Sequence, residues 1–341
     1  MKSLATLYRP NKFEDVCGQS VTVKILEREV KTNNIKNCYL FCGPSGCGKT
    51  TIARIFANKI NNNLGSPIEI DAASNNGVDN VKNIVKSAKE RAIDSKYKIY
   101  IIDECHSLTS QAWQSFLKCI EEPPKYTIFI FCTTELNKVP DTIKNRCQCF
   151  NFTRLSSSII SDRLKYICQN EGLLYYNEAC DYISKICNNQ MRDAISILEK
   201  AISYIDNNAL SLKVVYESNS DIDYLTLFDL LDKGIIEGSE SYVINTLENL
   251  YIKGIDFNLL VNKFLEFCFD ISKYIISDDI NITRIPSDFI DNLNRVSKFN
   301  NSIQYYNYYI DKLLELKELM KNDLNIKLTV QVIFLKMTRL Q

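Results

Sequence analysis

The first 150 residues alternate short apolar runs with longer segments of helical spacing. Four of the runs have the length and apolar content of strands: Cys38–Cys42, Ile68–Ile70, Lys98–Ile102 and Thr127–Cys132. Strands that alternate with helices predict a parallel sheet with crossover helices on its faces. Because such sheets bind ligands beyond the carboxyl ends of their strands, the chemistry is expected in the segments that follow these runs.

After residue 150 the chain has the apolar spacing of helices. The predicted helical segments are Ile159–Cys168, Asn177–Ile205, Leu225–Leu231, Tyr242–Leu250, Leu259–Ile276 and Ile303–Met320. Polar sequence at Asp206–Ser211 predicts a linker. A chain of 341 residues is also longer than a typical single domain. The pattern therefore predicts an α/β domain at 1–152, a small all-α domain at 153–208 and a second all-α domain at 216–341.

Composition excludes several classes of protein. Lys and Arg together number 41, and Asp and Glu together also number 41, so the chain has no overall positive charge that would predict nucleic-acid binding. Any DNA contact must therefore be local. No apolar run approaches the roughly 20 residues that span a bilayer, which predicts a cytosolic protein. The 13 cysteines are odd in number, lie mostly in apolar stretches and include no C-x-x-C pair. Reduced thiols and the absence of structural zinc are therefore expected.

The segment after the first predicted strand reads Gly-Pro-Ser-Gly-Cys-Gly-Lys-Thr and fits the phosphate-loop pattern G-x-x-x-x-G-K-[ST]. Glycines let backbone N–H groups turn inward around phosphate oxygens, and the following helix N-terminus adds partial positive charge. Lys49 is expected to reach the β and γ phosphates of a nucleotide, and Thr50 to ligate Mg²⁺. The alternative is a glycine-rich turn without a ligand. The predicted nucleotide-contacting residues are Gly43, Pro44, Ser45, Gly46, Cys47, Gly48, Lys49, Thr50 and Thr51.

An acidic pair follows the predicted strand at Lys98–Ile102. Asp103 is expected to hold Mg²⁺, and Glu104 to polarise the attacking water, as in a Walker B motif. An acidic helix cap after a strand is the alternative for this pair taken alone. His106 is the only histidine, and because acidic residues already supply a base, a structural or coupling role is predicted for it rather than catalysis.

Several motifs together resemble one family. They are Leu7-Tyr8-Arg9-Pro10 with Val16-Cys17-Gly18-Gln19, Ile70-Asp71-Ala72-Ala73-Ser74, Asp103-Glu104-Cys105-His106-Ser107-Leu108 and Leu117-Lys118-Cys119-Ile120-Glu121-Glu122-Pro123-Pro124. By these motifs the stretch from Leu7 to Gln148 resembles the tau/gamma subunits of bacterial DNA polymerase III clamp loaders, which are AAA+ ATPases related to replication factor C. The resemblance implies a P-loop parallel-sheet core, a small all-α lid and an all-α collar.

The resemblance also implies roles for single residues. Thr134 falls at the sensor 1 position, where it would hydrogen-bond the γ phosphate or the attacking water. Arg146, in Asn145-Arg146-Cys147 where the family carries Ser-Arg-Cys, would be an arginine finger for the ATP of a neighbouring subunit. Arg192 would be a sensor 2 residue that touches the nucleotide of its own subunit. Both arginines have the alternative of an ordinary surface position. The residues implied at the nucleotide base are Tyr8, Arg9, Pro10 and Val16.

Two departures from the family pattern lead to further expectations. The family commonly inserts a four-cysteine zinc module after the first helix, whereas here Asn58–Ser66 passes directly to the next strand, so no zinc is expected. The chain also ends at Gln341 without a long extension, which predicts a gamma-like form. The segment from about 216 resembles the collar only in its pattern.

A local basic face is predicted on the helical segment Asp79–Arg91. Apolar residues fall on one side of it, and Lys82 and Lys86 fall on another. In clamp loaders the corresponding helix follows the phosphates of the primer-template duplex. Such backbone contact is salt-dependent and independent of sequence. A solvated lysine face is the alternative.

The resemblance implies an ATP-hydrolysing clamp-loader subunit that uses ATP and Mg²⁺ to open a sliding clamp and load it onto primed DNA. Its partners would be the clamp, primer-template DNA and other loader subunits in a pentameric ring or spiral, without a membrane. Its location would be the cytoplasm, or the host cytoplasm for a viral source. Two alternatives stay open: another AAA+ replication ATPase, such as a helicase loader or branch-migration motor, and a non-hydrolysing structural subunit.

Overall fold

The computed structural model of the chain describes residues 3–205, 209–219, 221–299, 303–321 and 325–339. Residues 206–208 of the predicted linker lie outside the described residues. The chain forms two compact units, one made of Met1–Leu164 with Cys187–Ser196 and the other of Lys165–Ile186 with Ile197–Gln341. The predicted division into three domains stays a prediction.

A five-stranded parallel sheet forms the centre of the first unit. Its strands are β1 (Cys38–Cys42), β2 (Ile68–Asp71), β3 (Lys98–Asp103), β4 (Thr127–Thr133) and β5 (Gln148–Asn151). Their spatial order is β2-β3-β4-β1-β5. The four predicted strands are confirmed to within one residue. Because all strands run the same way, the segments that follow β1, β3 and β4 meet at one edge of the sheet, as expected.

The edge strand β5 was not among the predicted strands. Of its four residues only Phe150 is buried, and the others are polar or partly exposed. Its register with β1 pairs Gln148 with Tyr39 and Asn151 with Cys42. Its sequence, Gln-Cys-Phe-Asn, is polar at both ends and contains no continuous apolar run, so the apolar pattern does not reveal it.

Among the described residues, six α-helices precede or connect the strands: α1 (Leu4–Leu7), α2 (Ser20–Thr32), α3 (Lys49–Ile60), α4 (Val78–Ala88), α5 (Ser110–Glu121) and α6 (Asp141–Lys144). Successive strand residues point to opposite faces of the sheet, which gives two apolar cores. On one face, the ring centroids of Tyr39 and Phe56 of α3 lie 4.9 Å apart. On the other, Phe131 lies 5.5 Å from Phe116 of α5. Because helices and apolar side chains cover both faces, the edges of the sheet are the places left for polar functional residues.

The described chain after β5 is mainly helical. Its helices are α7 (Ser157–Asn170), α8 (Asn177–Ile186), α9 (Met191–Ser203), α10 (Leu212–Asn219), α11 (Tyr224–Asp229), α12 (Glu240–Ile252), α13 (Phe257–Ser277), α14 (Ile290–Phe299), α15 (Ile303–Met320) and α16 (Ile326–Met337). A π-helical segment, Leu230–Ile236, continues α11. Among these described helices, none is long and apolar enough to cross a membrane.

The segment of helical spacing predicted at Asn177–Ile205 contains two helices. Helix α8 ends at Ile186 and α9 begins at Met191. Between them Asn188 and Asn189 have φ of 52° and 61°, a left-handed conformation that asparagine adopts more readily than most residues. Apolar spacing continues on both sides of the break, so the pattern alone does not show it. The break starts α9 beside the phosphate loop.

Candidate functional site

The predicted phosphate loop connects the end of β1 to the first residue of α3. Gly43 has φ of 149°, and a Cβ atom there would clash with the carbonyl oxygen of Phe152. Gly46 has φ of 67°, and a Cβ atom there would lie 2.8 Å from Cβ of Gln190. Both positions therefore require glycine, for conformation and for space. The remaining loop residues, Pro44, Ser45, Cys47 and Gly48, complete the turn before α3.

Lys49 is the first residue of α3 and its side chain turns back over the loop. Its Nζ donates hydrogen bonds to the carbonyl oxygens of Gly43 at 2.9 Å and Pro44 at 2.8 Å. Only 6% of the residue is exposed. A buried ammonium needs such acceptors, because an unpaired charge is costly away from water. The loop thus has a cation held at the centre of its turn.

The two predicted magnesium ligands lie together. Thr50 Oγ1 donates a hydrogen bond to Asp103 Oδ2 at 2.7 Å, across 53 positions of sequence. Hydroxyl and carboxylate oxygens are the donors that Mg²⁺ prefers, and adjacent ligands of an octahedral Mg²⁺ lie about 3 Å apart when metal–oxygen distances are about 2.1 Å. The oxygen pair therefore fits Mg²⁺ in both chemistry and spacing.

Glu104 follows Asp103 beyond the end of β3, and its backbone is left-handed, with φ of 46° and ψ of 41°. Thr134 Oγ1 donates to Glu104 Oε2 at 3.4 Å. Thr134 itself follows β4, which pairs directly with β3. The fold thus joins the predicted base to the predicted sensor 1 residue at the carboxyl edge of the sheet.

His106 lies between two carboxylates in this group. Its Nδ1 lies 3.4 Å from Glu104 Oε2, and its Nε2 lies 3.3 Å from Glu135 Oε1. Thr133 Oγ1 is 3.2 Å from Nδ1. Lys138 Nζ donates to Glu135 at 2.9 Å, and this hydrogen bond lowers the pKa of the Glu135 carboxyl. The prediction of a structural or coupling role for His106 stays a prediction, and these contacts are consistent with it.

The segment predicted at the nucleotide base borders α3. Arg9 Nε donates to Thr51 Oγ1 at 3.1 Å, which ties the segment to the helix that follows the loop. The carbonyl oxygen of Tyr8 accepts a hydrogen bond from a side-chain nitrogen of Arg163 at 2.8 Å. Pro10 is partly buried, and Val16 packs against the apolar core on the α3 face of the sheet. The structure therefore brings this segment to the P-loop helix.

Arg192 lies in the first turn of α9 and is exposed. Its neighbour Met191 donates its backbone N–H to the carbonyl oxygen of Gly46 at 3.3 Å, which fixes the start of α9 against the loop. Burial lowers the pKa of Arg9, and the positive charges of Arg54 and Arg192 lower it further. Cations therefore gather around the loop, as a site for an anion requires.

Arg146 lies near the amino-terminal end of β1, whereas the phosphate loop follows the carboxyl-terminal end of that strand. Its Nη2 is 2.7 Å from Glu121 Oε1, and its Nη1 donates to the carbonyl oxygen of Thr142 at 2.8 Å. It lines an open groove of about 810 Å³ together with Cys38, the first residue of β1. The phosphate loop follows the last residue of that strand. Five strand residues span roughly 16 Å at about 3.3 Å each, so the structure does not bring Arg146 to the loop of its own chain.

Lys82 and Lys86 are exposed on α4, opposite the buried Val81 and Ala88. Lys82 Nζ lies 3.5 Å from Asp79 Oδ1, but both side chains are largely solvated, which makes this a weak pair. Both ammonium groups are therefore available to a partner.

Two residues that make hydrogen bonds or ion pairs with predicted site segments, Gln19 and Glu121, had no predicted role. Gln19 Nε2 donates to the carbonyl oxygen of Thr153 at 2.7 Å and lies 3.4 Å from that of Cys47 in the loop. Glu121 pairs with Arg146. Both residues stand inside motifs that were used for the resemblance, but their partners are distant in sequence. A motif marked the positions, and only the fold shows the contacts.

The fold and the loop define an α/β P-loop protein with the AAA+ fold. The Holliday junction branch migration motor RuvB of Thermotoga maritima has the same fold, with a TM-score of 0.54 over 66% of this chain and 79% of that chain. Sequence identity to it is 18%, so this likeness concerns the fold alone. The predicted AAA+ fold class, with a parallel-sheet core and helical regions after it, is confirmed.

Sequence comparison identifies the family. The model described as DNA polymerase III, delta subunit, matches residues 66–156. The DNA polymerase III gamma subunit of Buchnera aphidicola subsp. Baizongia pistaciae is 31% identical over 93% of this chain and 91% of its own length. The gamma/tau subunit of Mycoplasma genitalium is 31% identical over 81% of this chain, and the tau subunit of Bacillus subtilis is 34% identical over 80%.

The chain belongs to the DNA polymerase III gamma/tau subunit family, which confirms the resemblance seen in the motifs. It spans about half the length of the Mycoplasma and Bacillus relatives, at 49% and 52%, and most of the Buchnera relative.

Proposed function

We propose that the chain is an ATP-hydrolysing subunit of a DNA polymerase sliding-clamp loader, which opens the clamp and loads it onto primed DNA. The contact between Thr50 Oγ1 and Asp103 Oδ2 at 2.7 Å is the observation that carries the proposal. It joins the phosphate loop to the acidic pair, so that a nucleotide held by the loop lies beside Glu104. Because the subunit would act on replicating DNA, we propose that it is located in the cytoplasm.

The loop residues from Gly43 to Thr51 would bind the phosphates of ATP. Lys49 would exchange its two carbonyl acceptors for β- and γ-phosphate oxygens, which are stronger acceptors because they are charged. Thr50 and Asp103 would hold Mg²⁺, which neutralises phosphate charge during transfer. Tyr8, Arg9, Pro10 and Val16 would contact the base, and Arg192 would touch the nucleotide of its own subunit from the first turn of α9. We propose no zinc.

Glu104 and Thr134 would act on the attacking water. The Glu104 carboxylate would accept a hydrogen bond from that water and orient it, and the Thr134 hydroxyl would bind the water or the γ phosphate. Their own contact at 3.4 Å supports this assignment because it keeps both side chains at the same point of the sheet edge. The residues proposed to take part in hydrolysis are Lys49, Asp103, Glu104, Thr134 and Arg146.

Arg146 would complete the site of a neighbouring subunit. It lies beyond the amino end of β1, whereas its own phosphate loop lies beyond the carboxyl end. A guanidinium that cannot reach the ATP of its own chain can act only on another one. ATP would then join subunits of a pentameric ring or spiral, with 1–152 as the ATPase core, 153–208 as the lid and 216–341 as the collar.

The function is tested by steady-state ATP hydrolysis of the full assembly, with the sliding clamp and primed DNA of the same source. We expect turnover to rise only when clamp and primed DNA are both present. Stimulation by single-stranded DNA alone would favour a different AAA+ motor. If the subunits assemble but do not hydrolyse ATP, and the Lys49→Ala variant behaves as wild type, the result would favour a structural subunit.

Lys82 and Lys86 are proposed to contact the phosphates of the primer-template duplex. The double variant Lys82→Ala/Lys86→Ala is expected to lower the slope of log affinity against log salt by about 1.8, since each phosphate contact contributes about 0.9. Fluorescence anisotropy of labelled primed DNA at several salt concentrations measures this slope. Lys24→Ala/Lys31→Ala removes the same charge from exposed positions on α2, which covers the opposite face of the sheet. If the two double variants give equal slopes, Lys82 and Lys86 form a solvated face of α4 that does not contact the DNA.

A further inference from the structure

The proposed hydrolysis does not use His106, although its ring contacts the residue that would orient the water. His106 lies in the short 3₁₀ turn Cys105–Ser107 after β3, and 15% of its side chain is exposed. Each ring nitrogen faces a carboxylate oxygen, Glu104 Oε2 from Nδ1 and Glu135 Oε1 from Nε2. The ring therefore bridges the Glu104 carboxylate to the segment that follows β4.

The two oxygens of Glu104 differ in their surroundings. Oε2 takes the contacts from both Thr134 Oγ1 and His106 Nδ1, at 3.4 Å each. Within the described ranges, Oε1 has no hydrogen-bond partner in the protein. A carboxylate anchored at one oxygen keeps the other in a defined direction, which is what an attacking water requires.

Glu135 is in turn held in place from its other side. Lys138 Nζ donates to Glu135 Oε1 at 2.9 Å, and this hydrogen bond lowers the pKa of the Glu135 carboxyl. The backbone N–H of Glu135 also donates to Thr133 Oγ1 at 3.0 Å, and that hydroxyl lies 3.2 Å from His106 Nδ1. The two ring nitrogens can both donate only when both carry a proton; in that form Glu135 accepts from Nε2 and Glu104 accepts from Nδ1, and the two contacts together fix the plane of the ring.

We propose that His106 is a positioning residue that anchors Glu104 Oε2 through Nδ1 and leaves Oε1 for the attacking water. The proposal rests on the proposed hydrolysis and extends it to a residue outside the nucleotide contacts. It assigns the function to one nitrogen of the ring. This separates it from a space-filling role, in which the volume of the side chain matters and the position of its donor does not.

Three variants at this position test the assignment. His106→Asn can place its amide nitrogen near the position of Nδ1, His106→Gln can place its own near the position of Nε2, and His106→Ala has neither donor. We expect His106→Ala and His106→Gln to lower kcat about tenfold, the effect of losing a hydrogen bond to a charged group. His106→Asn is expected to stay within about threefold of wild type. ATP affinity and thermal midpoint should stay near wild type in all three.

The measurements are kcat and KM in the full assembly with clamp and primed DNA, ATP binding by equilibrium titration, and the thermal midpoint of each variant. Equal kcat in the Ala and Asn variants would overturn the assignment to Nδ1. A common loss of ATP affinity and thermal stability, with kcat unchanged in the bound state, would make His106 structural. Failure of wild type to hydrolyse ATP would instead remove the proposed function, whereas hydrolysis at the wild-type rate by all three variants would remove only this inference.

Discussion

Glu104→Gln is expected to bind ATP with nearly the affinity of wild type and to hydrolyse it about a hundred- to ten-thousandfold more slowly. The substitution keeps the size of the side chain and an oxygen that can accept from Thr134, but it removes the negative charge that polarises the water. The residues that would hold the phosphates, Lys49 and Thr50, are unchanged. ATP binding by equilibrium titration and single-turnover hydrolysis in the full assembly measure the two effects separately.

Glu90→Gln is the matched control for this variant. Glu90 is an exposed carboxylate 4.0 Å from Lys98, which begins β3, whereas Glu104 follows the end of that strand. The same chemical change is thus made near the opposite edge of the sheet, and hydrolysis is expected to stay at the wild-type rate. If Glu104→Gln also turns over at the wild-type rate, another group orients the water. If it loses ATP binding as well, Glu104 acts on binding rather than on the water.

Three of the four predicted strands are buried, whereas β2 is an exposed edge strand recognisable by Ile68 and Ile70. Strands β1 and β4 are buried along their whole length, and β3 at every position except its two ends, so their residues form continuous apolar runs. Strand β5 and the break between α8 and α9 were not predictable in this way. One depends on backbone pairing along the flank of β1, and the other on two left-handed asparagines. Neither leaves a mark on apolar periodicity.

The candidate site was predictable as a set of residues but not as a set of contacts. Sequence indicated Thr50 and Asp103 because both stand in motifs whose chemistry requires them. It did not show that Glu121 pairs with Arg146, because the pair joins the end of α5 to the segment between α6 and β5, and the whole of β4 separates the two in sequence. The same holds for His106 and Glu135, which follow adjacent parallel strands. Motifs specify chemistry, whereas strand order specifies which groups meet.

Arg146→Ala is expected to lower turnover of the assembly about a thousandfold while each subunit keeps its ATP affinity. The guanidinium lies about one strand length from its own phosphate loop, so its loss leaves the binding contacts of that loop intact. Lys144→Ala is the control, since it removes a cation two positions away that is paired with Asp141 at 3.0 Å. Turnover in this variant should stay near wild type.

Mixed assemblies distinguish a finger that acts across an interface from one that acts within its own chain. A Lys49→Ala subunit has an inactive phosphate loop and an intact Arg146, and an Arg146→Ala subunit has the reverse. Wherever an intact loop meets an intact finger from the next subunit, a complete site forms, so a mixture is expected to hydrolyse ATP faster than either variant alone. A mixture no faster than the mean of the two variants would place the action of Arg146 within its own chain. That outcome would require Arg146 to leave Glu121 and cross the width of the sheet, which the 2.7 Å ion pair and the length of β1 both oppose.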